Sequence, residues 1–198
     1  MNRIRAFLIF IVTTTLLTSV ATGDGEKKKS ERDLEFTTLK GKGIKPLVPG
    51  PAGVSVVIFI TTDCPIANAY VPEINRIHDT YSKKGVRITL VHVDPDLTVA
   101  GAKAHAEDYA LKPEIVIDPT HKLVAATRAT ITPEAAVIGK KGDRIYLGRI
   151  NNRYTGFGDR RNTVTDHNLR DAIDAALAGK TVAKPKVEAL GCFIPELD

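Results

Sequence analysis

The chain has 198 residues, of which 43% are hydrophobic and 26% are charged, and its formal net charge is +5. This length and composition predict one soluble globular domain with terminal extensions and enough apolar sequence for a core. The basic residues are scattered and form no dense stripe with interleaved aromatics, which argues against nucleic acid as a partner.

The N-terminal segment has the pattern of an export signal. Arg3 and Arg5 precede the uncharged run 6–20, which ends in small residues. We therefore predict a signal peptide over 1–21, an exported protein (periplasmic or secreted) and no membrane span in the mature chain. The alternative is an uncleaved anchor, but the run is shorter than the ~20 apolar residues that a spanning helix needs.

The first predicted elements follow a polar, lysine-rich linker over 22–33. Two short strands are expected near Phe36–Leu39 and Ile44–Leu47. The segment Val54–Ile60 is almost continuously β-branched or apolar, which is typical of a central strand buried on both faces. Apolar positions from Tyr70 to Tyr81 are spaced four, three and four residues apart and predict a helix.

The remaining elements complete an alternating α/β pattern. They are a strand over Arg87–Val93, a helix over Thr98–Ala110, a short strand over Ile115–Ile117, one or two helical turns over His121–Arg128, strands over Ala135–Ile138 and Arg144–Ile150 joined by a hairpin turn, and a helix from the candidate N-cap Thr165 to Gly179. This order predicts one α/β domain over 34–180, with a mixed central sheet and flanking helices, between an N-terminal extension and an extended tail over 181–198.

Cys64 is the candidate functional residue because it lies where the central strand passes into a helix. A thiol at a helix N-terminus faces unpaired backbone N–H groups and the positive end of the helix dipole, and both favour the thiolate. The adjacent Asp63 opposes this through its like charge. Open α/β sheets also place their sites at the C-terminal ends of central strands. The alternative is that Cys64 is a buried apolar residue without chemistry.

The segment around Cys64 resembles the active-site segment of thioredoxins. That family has a proline eight residues after its first active-site cysteine, as Pro72 follows Cys64, and Thr132-Pro133 resembles its cis-proline loop. The resemblance implies a thioredoxin-like fold in which Pro65, Thr132 and Pro133 form the wall of the site.

A different cysteine chemistry follows from Ala67, which stands where the second cysteine of a Cys-x-x-Cys motif would be. The run Thr61-Thr62-Asp63-Cys64-Pro65 also resembles the Thr-x-x-Cys-Pro motif of peroxiredoxins, in which the threonine hydrogen-bonds the thiolate and the peroxide. The resemblance assigns that role to Thr61. Two parts of the peroxiredoxin pattern are absent or displaced, since Val57 replaces a proline and Arg128 lies too early for the activating arginine.

More specifically, the chain resembles an exported redoxin group close to the thiol-specific-antioxidant, peroxiredoxin-like division of the thioredoxin superfamily. The residues that carry this resemblance are Asp63 to Asn68, Tyr70, Pro72 to Ile74, Thr132 to Ala135, Gly148 to Tyr154 and Gly191 to Pro195. It implies a thiol-dependent oxidoreductase that needs no cofactor. Cys64 would attack peroxide or a protein disulfide, and an unidentified thiol donor would restore it.

Cys192 is the second cysteine of the chain and lies in the tail, 128 residues after Cys64. Peroxiredoxins with two working cysteines place a resolving cysteine late in the chain, often reaching a partner subunit. The resemblance therefore assigns Cys192 as the candidate resolving cysteine and includes a homodimer among the expected assemblies. The alternatives are a static Cys64–Cys192 disulfide and a thiol that only docks the tail. Bridging needs Cα atoms within roughly 7 Å.

Two other functional classes stay open. A non-catalytic thioredoxin-fold module that docks an exported electron-transfer or copper protein is favoured by Ala67 and by the missing arginine. Metal delivery is disfavoured because Asn68 stands where a copper chaperone has its second cysteine, and the five histidines show no ligand spacing. We predict no metal site, and surface or helix-face positions for the histidines. The arginines of the loop 149–161 form either a solvated loop or a basic rim beside Cys64.

Overall fold

The structure is a computed structural model that describes residues 31–197. The predicted signal peptide, 1–21, and most of the predicted linker, 22–33, lie outside the described residues. Glu31–Asp33 forms a short 3-10 helix at the start of the described chain. None of the helices within this range is long and apolar enough to cross a membrane.

The described elements follow the predicted α/β order. They are β1 (Phe36–Thr37), β2 (Gly43–Ile44), β3 (Ser55–Ile60), α1 (Pro65–Tyr81), β4 (Arg87–His92), α2 (Val99–Asp108), β5 (Glu114–Ile117), α3 (Lys122–Thr127), β6 (Ile131–Thr132), β7 (Glu134–Ile138), β8 (Arg144–Gly148), α4 (Asn168–Leu177), β9 (Lys186–Val187) and β10 (Cys192–Phe193). The predicted α/β class is confirmed. The two short strands in the tail, β9 and β10, were not predicted.

A six-stranded mixed sheet forms the centre, in the order β5-β4-β3-β7-β8-β9. The strand β3 pairs parallel with β4 on one side and antiparallel with β7 on the other. All six residues of β3 are buried, because both faces of the sheet are covered. This explains its uninterrupted apolar sequence. Two further pairs lie outside the sheet, β1 with β2 and β6 with β10.

Two apolar layers hold the sheet between the helices. On one face, residues such as Ile58 and Leu90 pack with Ile74 of α1 and Ile173 of α4. On the other face, Val57, Phe59 and Val91 form a cluster with Leu123 of α3 and Leu47. Each such side chain contributes ~1.5–3 kcal/mol on full burial. The two layers thus position the end of β3 and the start of α1, between which Cys64 lies.

The predicted N-cap of the last helix is wrong. The helix α4 begins at Asn168, and His167 is its N-cap without a side-chain cap bond. The hydroxyl of Thr165 instead accepts a hydrogen bond from the Asn152 amide at 2.6 Å, and its backbone N–H donates to the same amide. Thr165 therefore fastens the loop 151–164 rather than the helix. Gly179 follows the helix in a left-handed conformation (φ +67°), as predicted.

Candidate functional site

Cys64 is the N-cap residue of α1 and is fully buried. Pro65 takes the first helical position, where its fixed φ and missing N–H fit without cost. The Cys64 Sγ accepts a hydrogen bond from the Ala67 N–H at 3.4 Å and donates one to the Thr132 carbonyl at 3.1 Å. The predicted placement of Cys64 at a helix N-terminus is confirmed.

The loop at Thr132–Pro133 forms the wall that faces Cys64. The bond between these residues is cis, as the resemblance to thioredoxins implied. Thr132 is fully buried, and its carbonyl is the acceptor for the Cys64 thiol. Behind it, the Glu134 carboxylate accepts the Thr130 N–H at 2.8 Å. Burial raises the pKa of Glu134, although hydrogen bonds from the backbone oppose the shift.

Thr61 lies at the end of β3 and contacts the same wall. Its Oγ1 lies 3.4 Å from the Thr132 Oγ1, and the Thr132 hydroxyl donates to the Cys192 carbonyl at 3.4 Å. Because the Thr132 hydroxyl has a single proton, Thr61 is the donor in the first contact. The described hydrogen bonds of the Cys64 sulfur go to Thr132 and Ala67 rather than to Thr61. The orienting role of Thr61 toward the thiolate stays a prediction.

The tail brings Cys192 to Cys64. The strand β10 pairs antiparallel with β6, so that Cys192 lies opposite Thr132 and Phe193 opposite Ile131. Both thiols are free, and Cys64 lies close enough to Cys192 to raise the pKa of the latter. Two residues that are 128 positions apart in the chain therefore share one site.

The two thiols are not equivalent. Burial raises the pKa of Cys192 to about 12, and the neighbouring Cys64 thiol and Asp63 add to the effect. Cys192 therefore stays protonated near neutral pH. Of the two cysteines, Cys64 is the one with a helix N–H donor on its sulfur, and it is better placed to act as the nucleophile.

The arginine-rich loop contributes to a cleft beside the cis-proline. Arg149 is fixed by two residues at the start of α4 and just before it. The Arg149 Nε donates to the Asn168 side chain at 2.8 Å, and the Arg149 Nη2 forms an ion pair with Asp166 at 3.0 Å. A cleft of 450 Å³ next to it is lined by residues that include Pro133 and Arg161. Arg149 is thus a structural residue of the loop, while Arg161 adds positive charge to the cleft.

A buried histidine pair lies behind the Cys64 loop and was missed by sequence analysis. His92 is fully buried, and its ring lies 5.0 Å from the His105 ring in an edge-to-face arrangement. The His105 Nε2 is 3.0 Å from the Asn68 amide oxygen, and that amide donates to the Thr62 carbonyl at 2.9 Å. The network therefore supports the backbone that leads to Cys64.

The predicted surface or helix-face position is wrong for His92. It lies opposite Ile60 in the parallel pairing of β3 and β4, and paired residues project from the same face of a sheet. Ile60 belongs to the apolar layer under α1, so the same face buries His92. The sequence signal for this burial was the position of His92 within the predicted buried strand 87–93. Within residues 31–197, no group of three or more His, Cys, Asp and Glu residues is arranged to hold a metal ion.

Fold and site together define a protein of the thioredoxin-fold class. Residues 51–166 match the Redoxin family model, and the chain belongs to the Redoxin family. None of the curated proteins matches it.

Similar solved structures support the same fold. An uncharacterized conserved protein from Geobacillus kaustophilus is 22% identical, with a TM-score of 0.69 over 83% of this chain and 88% of its own. A putative thioredoxin from Neisseria meningitidis is 21% identical (TM-score 0.56, 73% and 87% covered). A putative thiol:disulfide interchange protein DsbE from Chlorobium tepidum is 15% identical (TM-score 0.55, 73% and 92% covered). At these identities the likeness shows the fold alone.

Proposed function

We propose that this protein is a thiol-dependent oxidoreductase that cycles between a Cys64/Cys192 dithiol and a Cys64–Cys192 disulfide. The observation that carries this proposal is the pairing of β10 with β6, which sets Cys192 opposite Thr132, the residue whose carbonyl accepts the hydrogen bond of the Cys64 thiol. Membership of the Redoxin family and the thioredoxin-like neighbours support thiol chemistry at this site. The pattern of an export signal over 1–21 supports a location outside the cytosol, where protein disulfides form and persist.

The proposed reduction of a disulfide proceeds in two exchanges. The Cys64 thiolate attacks one sulfur of a substrate disulfide, a bond forms between that sulfur and Cys64, and the other substrate sulfur leaves and takes up a proton. Cys192 then loses its proton and attacks the Cys64 sulfur, so that the intramolecular disulfide forms and the second substrate thiol leaves. The substrate gains two electrons and the protein loses two. An external thiol donor returns them.

The order of the two steps follows from the causes of the Cys192 shift. The pKa of Cys192 is raised first by burial and then by the neighbouring Cys64. Once Cys64 is bound in a mixed disulfide, it has no ionisable thiol, so the contribution of Cys64 disappears. The pKa of Cys192 therefore falls after the first step, which favours its attack at that moment.

Peroxide is proposed as a second oxidant, on the basis of the Thr61-x-x-Cys64-Pro65 motif. Cys64 would be oxidised to a sulfenic acid while the peroxide leaves as water or alcohol, and Cys192 would condense with it and release water. Because the described chain holds both cysteines in one site, this cycle requires no partner subunit. Thr61 contacts Thr132 rather than the sulfur, so disulfide exchange is the reaction that the geometry supports better.

The test is to expose the reduced protein to one equivalent of oxidised peptide disulfide or of hydrogen peroxide, block the remaining thiols and map the cysteines by mass spectrometry. We expect a linked pair of peptides that contain Cys64 and Cys192. The Cys192→Ser variant should stop at a mixed disulfide or sulfenate on Cys64, and Cys64→Ser should not react. A wild-type protein that leaves Cys64 reduced under both oxidants would refute the proposal.

The competing proposal is a non-catalytic module that docks another exported protein. The complete burial of Cys64 favours it, because a buried thiol is closed to large substrates. Under this alternative, Cys64→Ser would retain all partner binding, and neither oxidant would produce the linked peptides.

A further inference from the structure

The tail covers Cys64. Leu190 and Cys192 pack against the apolar cluster to which Cys64 belongs, and Cys192 pairs with Thr132, which accepts the hydrogen bond of the Cys64 thiol. The exposed fraction of Cys64 is 0%, although a thiol that exchanges with disulfides of other proteins must meet them. The reduced site is therefore closed to a macromolecular substrate in this conformation.

The tail is held by backbone pairs and by a few partly buried apolar side chains, which are Val187, Leu190, Cys192 and Ile194. Residues 183–186 are exposed. The strand β9 pairs with Leu147 and Gly148 of β8, β10 pairs with β6, and the Ile194 N–H donates to the Thr130 carbonyl at 3.1 Å. The side chain of Phe193 is 82% exposed. Because the apolar side chains of the tail are only partly buried, the tail opens at a lower free energy than the fully buried core does.

Glycine at position 191 allows β10 to approach β6 closely. A Cβ atom at Gly191 would lie 2.0 Å from the Thr132 carbonyl oxygen and 2.7 Å from the carbonyl carbon. These are backbone atoms of the wall that faces Cys64, and they cannot rotate away. Any side chain at position 191 would therefore push β10 off β6 and away from Cys64.

We define the strap as residues 186–194, and its strand β10 pairs with β6. We propose that the strap is a reversible cover of Cys64: it closes the site in the dithiol form, and Cys64 reacts only in molecules in which β10 has left β6. This inference rests on the proposed function for its purpose but not for its test. After Cys64 has formed a mixed disulfide, return of the strap would bring Cys192 to the Cys64 sulfur, and the intramolecular disulfide would then hold the strap closed.

The test measures how fast iodoacetamide alkylates Cys64 in the reduced protein, with Cys64 and Cys192 quantified separately by peptide mass spectrometry. In Gly191→Ala the strap loses the backbone hydrogen bonds of β10, and the alkylation rate of Cys64 should rise by about tenfold or more. Gly156→Ala is the matched control. It adds the same methyl group in a loop where the nearest atom is the Asp159 side chain, at 3.2 Å, and it should react like the wild type.

A second variant and a second measurement separate opening of the strap from unfolding. A chain that ends at Pro185 lacks the strap and should show at least the Cys64 rate of Gly191→Ala. Hydrogen exchange of β3 should stay at the wild-type level in both. Equal Cys64 rates in all four proteins, or a faster rate that appears only together with faster exchange in β3, would overturn the proposal.

Failure of the strap and failure of the proposed function give different results. Alkylation needs no oxidant and no second cysteine, so a gated Cys64 that never forms the disulfide would refute the proposed function alone. A Cys64–Cys192 disulfide that forms while alkylation is equally fast in every variant would refute the strap alone.

Discussion

Oxidation of the Cys64/Cys192 pair should stabilise the fold strongly. The bridge would close a loop of 128 residues. A cross-link over a loop of this length lowers the conformational entropy of the unfolded chain and thereby stabilises the folded state by about 5 kcal/mol. For a protein of this size, each kcal/mol raises the melting temperature by about 2–4 °C. The oxidised form should therefore melt about 10–20 °C above the reduced form, less any strain that the bridge introduces.

The assay is thermal unfolding followed by circular dichroism, with the oxidised protein compared with a sample kept in a phosphine reductant. Mass spectrometry before the scan verifies that the bridge is present. Cys64→Ser and Cys192→Ser are the matched controls, and neither should change its melting temperature with the reductant. If the verified bridged protein melts at or below the reduced protein, closing the bridge must distort the fold, and the inference that the reduced structure already holds the two thiols in bridging geometry is refuted.

Three further predictions concern the residues that support the site. Ile74→Ala removes a fully buried side chain of α1 and should lower the free energy of unfolding by about 2–5 kcal/mol in urea titrations; an unchanged midpoint would show that α1 does not depend on this layer. The buried carboxylate of Asp118 accepts hydrogen bonds from three backbone N–H groups at the start of α3. Replacing it in Asp118→Asn should lower the free energy of unfolding by about 1–3 kcal/mol in the same assay. A loss no larger than that for an exposed carboxylate would contradict this role. Burial lowers the pKa of His105 from its ordinary 6.5, and the charge of His92 adds to the effect. The contribution of His105 to stability is therefore complete above pH ~6.5 and is lost as the pH falls below that value. Urea midpoints at pH 7.5 and 5.5 should differ more in the wild type than in His105→Gln, and equal differences would refute the assignment.

The central part of the fold follows from local patterns. The uninterrupted apolar run of β3 predicts a strand covered on both faces, and the apolar spacing of α1 predicts its buried stripe; both are confirmed. Cys64 could be located because strand and helix meet at it. The Thr132–Pro133 loop could be located through its resemblance to thioredoxins, and its cis bond agrees with that resemblance.

Other features depended on contacts between distant segments. Thr165 has a side chain suited to an N-cap, but the Asn152 amide offered it better partners, and the helix began later. His92 is polar, yet the pairing of β4 with β3 carries it into the apolar layer. In both cases a tertiary contact outweighed a local preference.

The same division applies to the two cysteines. Sequence alone determined that Cys64 lies at a helix N-terminus and has no local partner, since Ala67 occupies the second position of the motif. Only the tertiary structure decided that Cys192 meets it. A two-residue strand such as β10 has no periodicity to indicate where it pairs, and its position depends on backbone hydrogen bonds to β6 and on the close approach that Gly191 permits. These are contacts between segments about 60 residues apart in the chain, and their geometry exists only once the sheet has formed.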